Sequence, residues 1–220
     1  MELFIDSADL REIEYWSGIL PIDGVACNPS LVARAGIRTA EAVQKIFEII
    51  GNDKRVHAQV VATDFADILN QARLVSSWHE NVFVKIPVTL EGLKAIKILA
   101  QEGMKITATA VATAHQGFLA AKAGAAYLAP YVNRIDNVSA NGVEVVRDLV
   151  RMIDSHGWET KVLGASFKNS RQVLEFFLAG GHGAAVSPEL LKAIAQHPLT
   201  DASAEGFLED YLSTFGTTEL

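Results

Sequence analysis

One lysine interrupts an apolar, β-branched run, Val82-Phe83-Val84-Lys85-Ile86-Pro87-Val88. Continuous runs of this kind suit a strand buried on both faces, as in a parallel sheet covered by helices. Side chains alternate along a strand, so Lys85 shares a face with Phe83, while Val84 and Ile86 share the other. Burial penalises the ammonium form relative to the free amine. A neutral amine held this way is the nucleophile that forms a Schiff base with a carbonyl substrate. The competing reading is a lysine at a strand end that snorkels its ammonium to water or pairs with a carboxylate.

The rest of the chain supplies a scaffold. Its 220 residues, 50% of them hydrophobic, suffice for the core of one α/β domain, here taken as residues 1–220. Short apolar strand candidates alternate with segments of helical period from the start. Leu3-Phe4-Ile5 precedes a helix near Asp9–Ser17, Gly24-Val25-Ala26 precedes helical turns over 30–50, and Arg55–Val61 precedes a helix carrying Phe65, Ile68, Leu69, Ala72 and Val75. After the lysine strand, Thr89 is placed to cap a helix. Lys105–Val111, Tyr127–Val132, Lys161–Ser166 and Ala184–Val186 complete eight strand and helix units. That count predicts a (β/α)₈ barrel. An open doubly wound sheet is the alternative, but Asp6-Ser7-Ala8-Asp9 after the first strand is not its glycine-rich phosphate turn. A further helix over 200–216 carries a stripe of Phe207, Leu208, Tyr211, Leu212 and Phe215 that must be covered by its own barrel or by a neighbouring subunit.

A formal charge of −7 without a clustered basic stripe argues against a nucleic-acid partner. One cysteine, Cys27, fits a reducing compartment and reads as a small buried apolar residue. Neither a basic leader segment nor an apolar run of membrane-spanning length is apparent, so a cytoplasmic location is expected. Six scattered histidines without a zinc-binding spacing predict no metal site.

Catalytic groups of barrel enzymes project from the C-terminal ends of the strands. Those ends are Asp6, Asn28, Gln59, Lys85, Thr109, Tyr131 and Ser166. Two residues back, the period of a strand puts Phe4, His57, Phe83, Thr107, Ala129 and Gly164 on the same inward face. Asp6 and Asn28 also suit helix caps. Tyr131 beside a Schiff-base lysine is a candidate proton donor and acceptor. Arg134, Ser166 and Lys168 offer a guanidinium, a hydroxyl and an ammonium to a phosphate, or else are solvated loop residues.

These residues resemble the small transaldolase family, and within it the fructose-6-phosphate aldolases. The resemblance runs essentially end to end and is most specific at Val84-Lys85-Ile86-Pro87-Val88-Thr89, at Ala129-Pro130-Tyr131-Val132-Asn133-Arg134-Ile135-Asp136, and at Ala165-Ser166-Phe167-Lys168. It implies a class I aldolase without cofactor that makes or breaks the C3–C4 bond of a ketose phosphate, with dihydroxyacetone or hydroxyacetone as donor. Lys85 is then the nucleophile and Tyr131 the acid/base. Asp6 and Asn28 handle the intermediate and donor hydroxyls, Gln59 and Thr109 position a proton-relaying water, and Arg134, Ser166 and Lys168 bind the acceptor phosphate. Thr107 and Ala129 join the substrate-binding set as inward neighbours. Transaldolases of this family generally carry glutamate and phenylalanine where Gln59 and Tyr131 stand, so the pair here is that of the aldolases. A transaldolase is the first alternative and a catalytically silent sugar-phosphate-binding barrel the second. The latter is motivated by Ala26-Cys27-Asn28-Pro29-Ser30, where the family has Thr-Thr-Asn-Pro-Ser. Thr107 stands where the aldolases typically have leucine. The expected consequence is an altered donor preference. The family's ring-shaped pentamers and their decamers imply a homo-oligomer joined through the C-terminal helix.

Overall fold

The computed structural model describes residues 1–220. Its elements run β1 (Glu2–Asp6), α1 (Leu10–Ile19), β2 (Gly24–Ala26), α2 (Pro29–Ala35), α3 (Thr39–Ile50), β3 (Arg55–Gln59), α4 (Phe65–Ser76) and β4 (Val82–Pro87). They continue with α5 (Leu90–Gln101), β5 (Ile106–Val111), α6 (Ala114–Lys122), β6 (Tyr127–Pro130), α7 (Val132–Asp136) and α8 (Gly142–His156). The last are β7 (Lys161–Gly164), α9 (Ser170–Leu178), β8 (Gly183–Val186), α10 (Pro188–Ala195) and α11 (Pro198–Phe215). All eight strands pair in parallel and in sequence order, and β8 closes on β1. This is the expected (β/α)₈ barrel with an extra C-terminal helix. The helical stretch over 30–50 divides into α2 and α3 at Gly36, which turns left-handed with φ 67°. The single-turn α7 has no apolar period long enough to announce it in the sequence.

Side-chain alternation sorts the strands into two cores. Outward residues such as Val84, Ile86, Ala108, Leu128 and Val162 pack beneath the helices. Inward residues Phe4, Ala26, Tyr127, Leu163, Ala165 and Ala185 fill the barrel with Phe83. Gly164, expected on the inward face with Ser166, faces the helix layer instead. A Cβ there would lie 2.5 Å from Phe176 and 2.6 Å from Phe167. The strand ends at Gly164, and Ser166 adopts a left-handed φ of 62°, so counting back from Ser166 by twos starts outside the strand.

The barrel floor is an ion cluster around Glu2. Its carboxylate accepts from Arg55 and Lys161, each at 2.7 Å, and from the Tyr127 hydroxyl at 2.8 Å. Burial raises the Glu2 carboxyl, but the Lys161, Arg55 and Tyr127 hydrogen bonds outweigh it and hold it below the ordinary glutamate range. A depressed folded-state carboxyl contributes stability above its unfolded pKa and loses it as pH falls through the folded value. Glu2→Gln should therefore lower Tm by a few degrees at pH 7, corresponding to roughly 1–2 kcal/mol for a cluster partly open to solvent. The gap between variant and parent closes below about pH 4, where glutamate protonates. Melting curves across pH 3–8 check this, and a gap that does not change with pH would count against it.

Candidate active site

The strands deliver their C-terminal residues to one cavity of about 790 Å³, within the size range of small-molecule sites. Asp6, Asn28, Lys85, Tyr131, Arg134, Ser166 and Lys168 all lie on its wall. Gln59, Thr107, Thr109 and Ala129 do not. Ala129 and both threonines are buried in the barrel, and Gln59 stands beside Lys85 in strand register.

Lys85 is only 4% exposed, and its Nζ donates to the Cys27 carbonyl at 3.1 Å. No carboxylate oxygen lies within 4.0 Å of it. The two ordinary outcomes for a strand lysine, a solvated ammonium and an ion pair, are thus both absent. Asp6 is half-buried across the mouth. Burial raises its carboxyl above the ordinary aspartate range, and the charges of Lys85 and Arg134 only partly oppose this. Such a carboxyl can hold a proton near the lysine nitrogen. Asp6 caps no helix, because Asp9 accepts the Arg11 N–H at 3.0 Å in that role.

Asn28 does cap α2, its Oδ1 accepting from the Leu31 N–H at 3.1 Å. Pro29 at the first helical position suits that start. With Oδ1 occupied, the amide NH₂ remains to meet a ligand. Cys27 points its side chain into the outer core, where burial pushes the thiol up to about 11. It is a packing residue whose backbone carbonyl serves Lys85. Ala26 belongs to the barrel interior with Phe4, off the cavity wall. The hydroxyl absent at position 26 would therefore sit inside the barrel.

The Thr109 hydroxyl donates to Tyr131 Oη at 3.1 Å, which leaves the phenolic hydrogen free for the cavity. The Arg134 guanidinium sits over the Tyr131 ring, 4.4 Å from its centroid, and fixes the ring from above. Immediately after Thr109 the strand bulges: β5 spends three steps from Ala108 to Val111 against two from Leu128 to Pro130. The extra residue is Ala110, at φ 57°. The bulge ends the inward series at Thr109 and returns Val111 to the outer core. Left-handed conformations of alanine and serine cost about 1–2 kcal/mol each. Of the three in this chain, Ala110 directly follows Thr109 near the end of β5 and Ser166 lines the cavity.

Sequence reasoning missed two supports. Gln172, in the first turn of α9 and nearly buried, donates to Asn133 Oδ1 at 3.2 Å and Asp136 Oδ2 at 2.7 Å, and accepts from the Lys168 N–H at 2.8 Å. It ties the segment carrying Arg134 to the one carrying Ser166 and Lys168. The second support is the interaction of His57 with Thr107, Nδ1 to Oγ1 at 2.7 Å, wholly inside the barrel. The His57 ring stacks on Phe83 and meets Phe4 and Tyr127 edge-on. Burial, then the charges of Lys85 and Arg55, push His57 well below the ordinary range and keep it neutral. His57 Nε2 and Gln59 Oε1 are the two buried side-chain polar atoms left without a partner. No group of three or more His, Cys, Asp or Glu is placed to hold a metal ion.

The family model described as Transaldolase/Fructose-6-phosphate aldolase matches residues 3–218. The chain belongs to the transaldolase/fructose-6-phosphate aldolase family. A probable transaldolase of Pelotomaculum thermopropionicum is 41% identical over 211 residues, covering 96% of this chain and 97% of that protein. A probable transaldolase of Bartonella quintana is 38% identical over 214 residues, covering 97% and 98%. Membership supports an enzyme with aldolase or transferase activity on sugar phosphates. Lys85, Asp6, Asn28 and Tyr131 share one cavity wall.

Proposed function

We propose that the protein is a class I aldolase of the fructose-6-phosphate aldolase type. It cleaves and forms the C3–C4 bond of a ketose phosphate, with dihydroxyacetone or hydroxyacetone as donor and glyceraldehyde 3-phosphate or a related aldehyde as acceptor. The observation that carries this is Lys85, buried at the cavity floor with a carbonyl as its one hydrogen-bond partner and no counter-ion. Its amine adds to the C2 carbonyl, and loss of water gives the Schiff base. Asp6 holds the proton that leaves with that water. As the C3–C4 bond breaks and the aldehyde departs, the C4 hydroxyl proton passes through a water held between Gln59 and Thr109 to the Tyr131 oxygen, while the phenol gives its own hydrogen to C3 of the enamine, so that Tyr131 ends the step as it began. Hydrolysis then frees the ketone from Lys85. The Asn28 amide NH₂ holds a donor hydroxyl, and Arg134, Ser166 and Lys168 receive the phosphate.

Borohydride added with fructose 6-phosphate, dihydroxyacetone or hydroxyacetone should leave a reduced adduct on Lys85, located by mass spectrometry. Cleavage of fructose 6-phosphate with no added aldose then identifies an aldolase. A second reading, the transaldolase, is favoured by the names of the relatives, and turnover only when an aldose acceptor is added would establish it. Adduct formation with none of these ketones would overturn both readings. The buried, partnerless thiol of Cys27 suits work in the cytoplasm.

The C-terminal helix supports a homo-oligomer. None of its 18 residues is buried, and on its apolar stripe Phe207, Leu208, Leu212 and Phe215 are 74%, 48%, 39% and 64% exposed. A contiguous apolar face of this kind belongs at an interface, and we place it on a neighbouring subunit of a pentamer or decamer. Sedimentation at micromolar concentration should give several times the 23.7 kDa of one chain. A monomer would refute the assembly without touching the lysine chemistry.

A further inference from the structure

The face of α2 toward the cavity consists of Ser30, Leu31, Arg34 and Ala35, the one-sided spacing of a helix, while Val32 turns into the core. Arg34 is the one ionisable group on that face. The Asn28 cap and Pro29 fix the start of the helix, so its position relative to the mouth is set by the fold. Across the opening stand Arg134 and Lys168 on the segments after β6 and β7. All three cations are exposed, and none has a carboxylate within 4.0 Å. Glu189, at the start of α10, lies between the two sides. Its own backbone N–H and Ser187 draw its carboxyl below the ordinary range, and the charges of Arg34 and Lys168 add to this, so both cations are felt at one place. Glu189 offsets only part of this charge, because Arg34, Arg134 and Lys168 outnumber it, so the part of the mouth they share still attracts an entering anion.

We propose that Arg34 is a further anion-binding residue of this mouth, closing on the phosphate monoester of the aldehyde acceptor from the side opposite Arg134 and Lys168. The inference rests on the aldolase reading and deepens it by naming how the phosphorylated acceptor is selected. Its fork of donors suits a phosphate better than a point charge would. Asp9 and Glu12 also line the mouth, and they disfavour an anion placed on their part of its rim.

The test is a calorimetric titration of inorganic phosphate into the full-length protein, Arg34→Ala and Arg38→Ala, at low ionic strength because screening weakens such contacts. Arg38 is exposed at the start of α3 and off the cavity wall, so its removal makes the same change in net charge without touching the mouth. Arg34→Ala should weaken phosphate binding about tenfold, the effect of losing a charge-assisted hydrogen bond, and Arg38→Ala less than about twofold. In aldol addition, Arg34→Ala should raise KM for glyceraldehyde 3-phosphate by a similar factor and leave that for unphosphorylated glyceraldehyde unchanged. Equal small losses in both variants, or none in Arg34→Ala, would overturn the proposal. Phosphate binding needs no Schiff base, so the two readings fail separately. Arg34-dependent binding without a trapped Lys85 adduct would remove the aldolase reading alone, and a trapped adduct with binding indifferent to Arg34 would remove this inference alone.

Discussion

Lys85→Met should abolish borohydride trapping with every ketone donor and lower cleavage of fructose 6-phosphate by about 10⁴-fold or more, the scale seen when a covalent nucleophile is removed. Methionine is the informative replacement because it keeps an unbranched, flexible stem in a site that is only 4% exposed. It removes a buried amine together with its desolvation cost, and leaves the Cys27 carbonyl without its donor. These two effects oppose each other, so Tm should stay within a few degrees of the parent. The paired readout separates chemistry from folding. A variant that melts normally, binds phosphate normally and forms no adduct assigns the covalent step to Lys85. Residual trapping at another lysine would sink the mechanism, because no other lysine lies on the cavity floor. Lys168 is the one other lysine on the wall, and it is exposed.

Lys85 was legible because a charge inside an apolar, β-branched run breaks the pattern that defines the strand. The eight units were legible from alternating period, and Thr89 and Asn28 cap the helices that their residue types suit. Asp6 suited a cap equally well, yet Asp9 takes that role and frees Asp6 for the mouth. What stayed hidden are backbone choices that residue identity does not announce. Ala110 and Ser166 adopt left-handed φ although neither is glycine. One ends the inward series of β5 and the other carries a serine to the mouth out of step with its strand, which is why counting back by twos from Ser166 puts Gly164 on the wrong face. Gln172 was hidden for another reason. A glutamine in the first turn of a helix looks like surface, and only the approach of two loops gives its amide three partners. His57 and Thr107 are fifty positions apart, and their union depends on barrel closure.

Tyr131→Phe should lower cleavage of fructose 6-phosphate by roughly 10²–10⁴-fold, the usual contribution of a positioned general acid/base, while Lys85 still forms its adduct. The argument starts from one hydrogen bond. Thr109 donates to Tyr131 Oη at 3.1 Å, so the phenol acts toward the cavity as a donor, and the Arg134 guanidinium over the ring holds it there. Phenylalanine keeps the ring and that cation contact but has no oxygen, so the enamine left after cleavage cannot be protonated along this route. Exchange of the donor's reacting-carbon hydrogen in D₂O isolates that step from carbon–carbon bond cleavage. It should fall by the same factor as cleavage, whereas trapping of dihydroxyacetone on Lys85 persists. If exchange were unchanged, another group would be moving the proton. If trapping fell in parallel, Tyr131 would be acting on Schiff-base formation, and Asp6, whose carboxyl burial pushes up beside Lys85, would be left as the acid for the enamine.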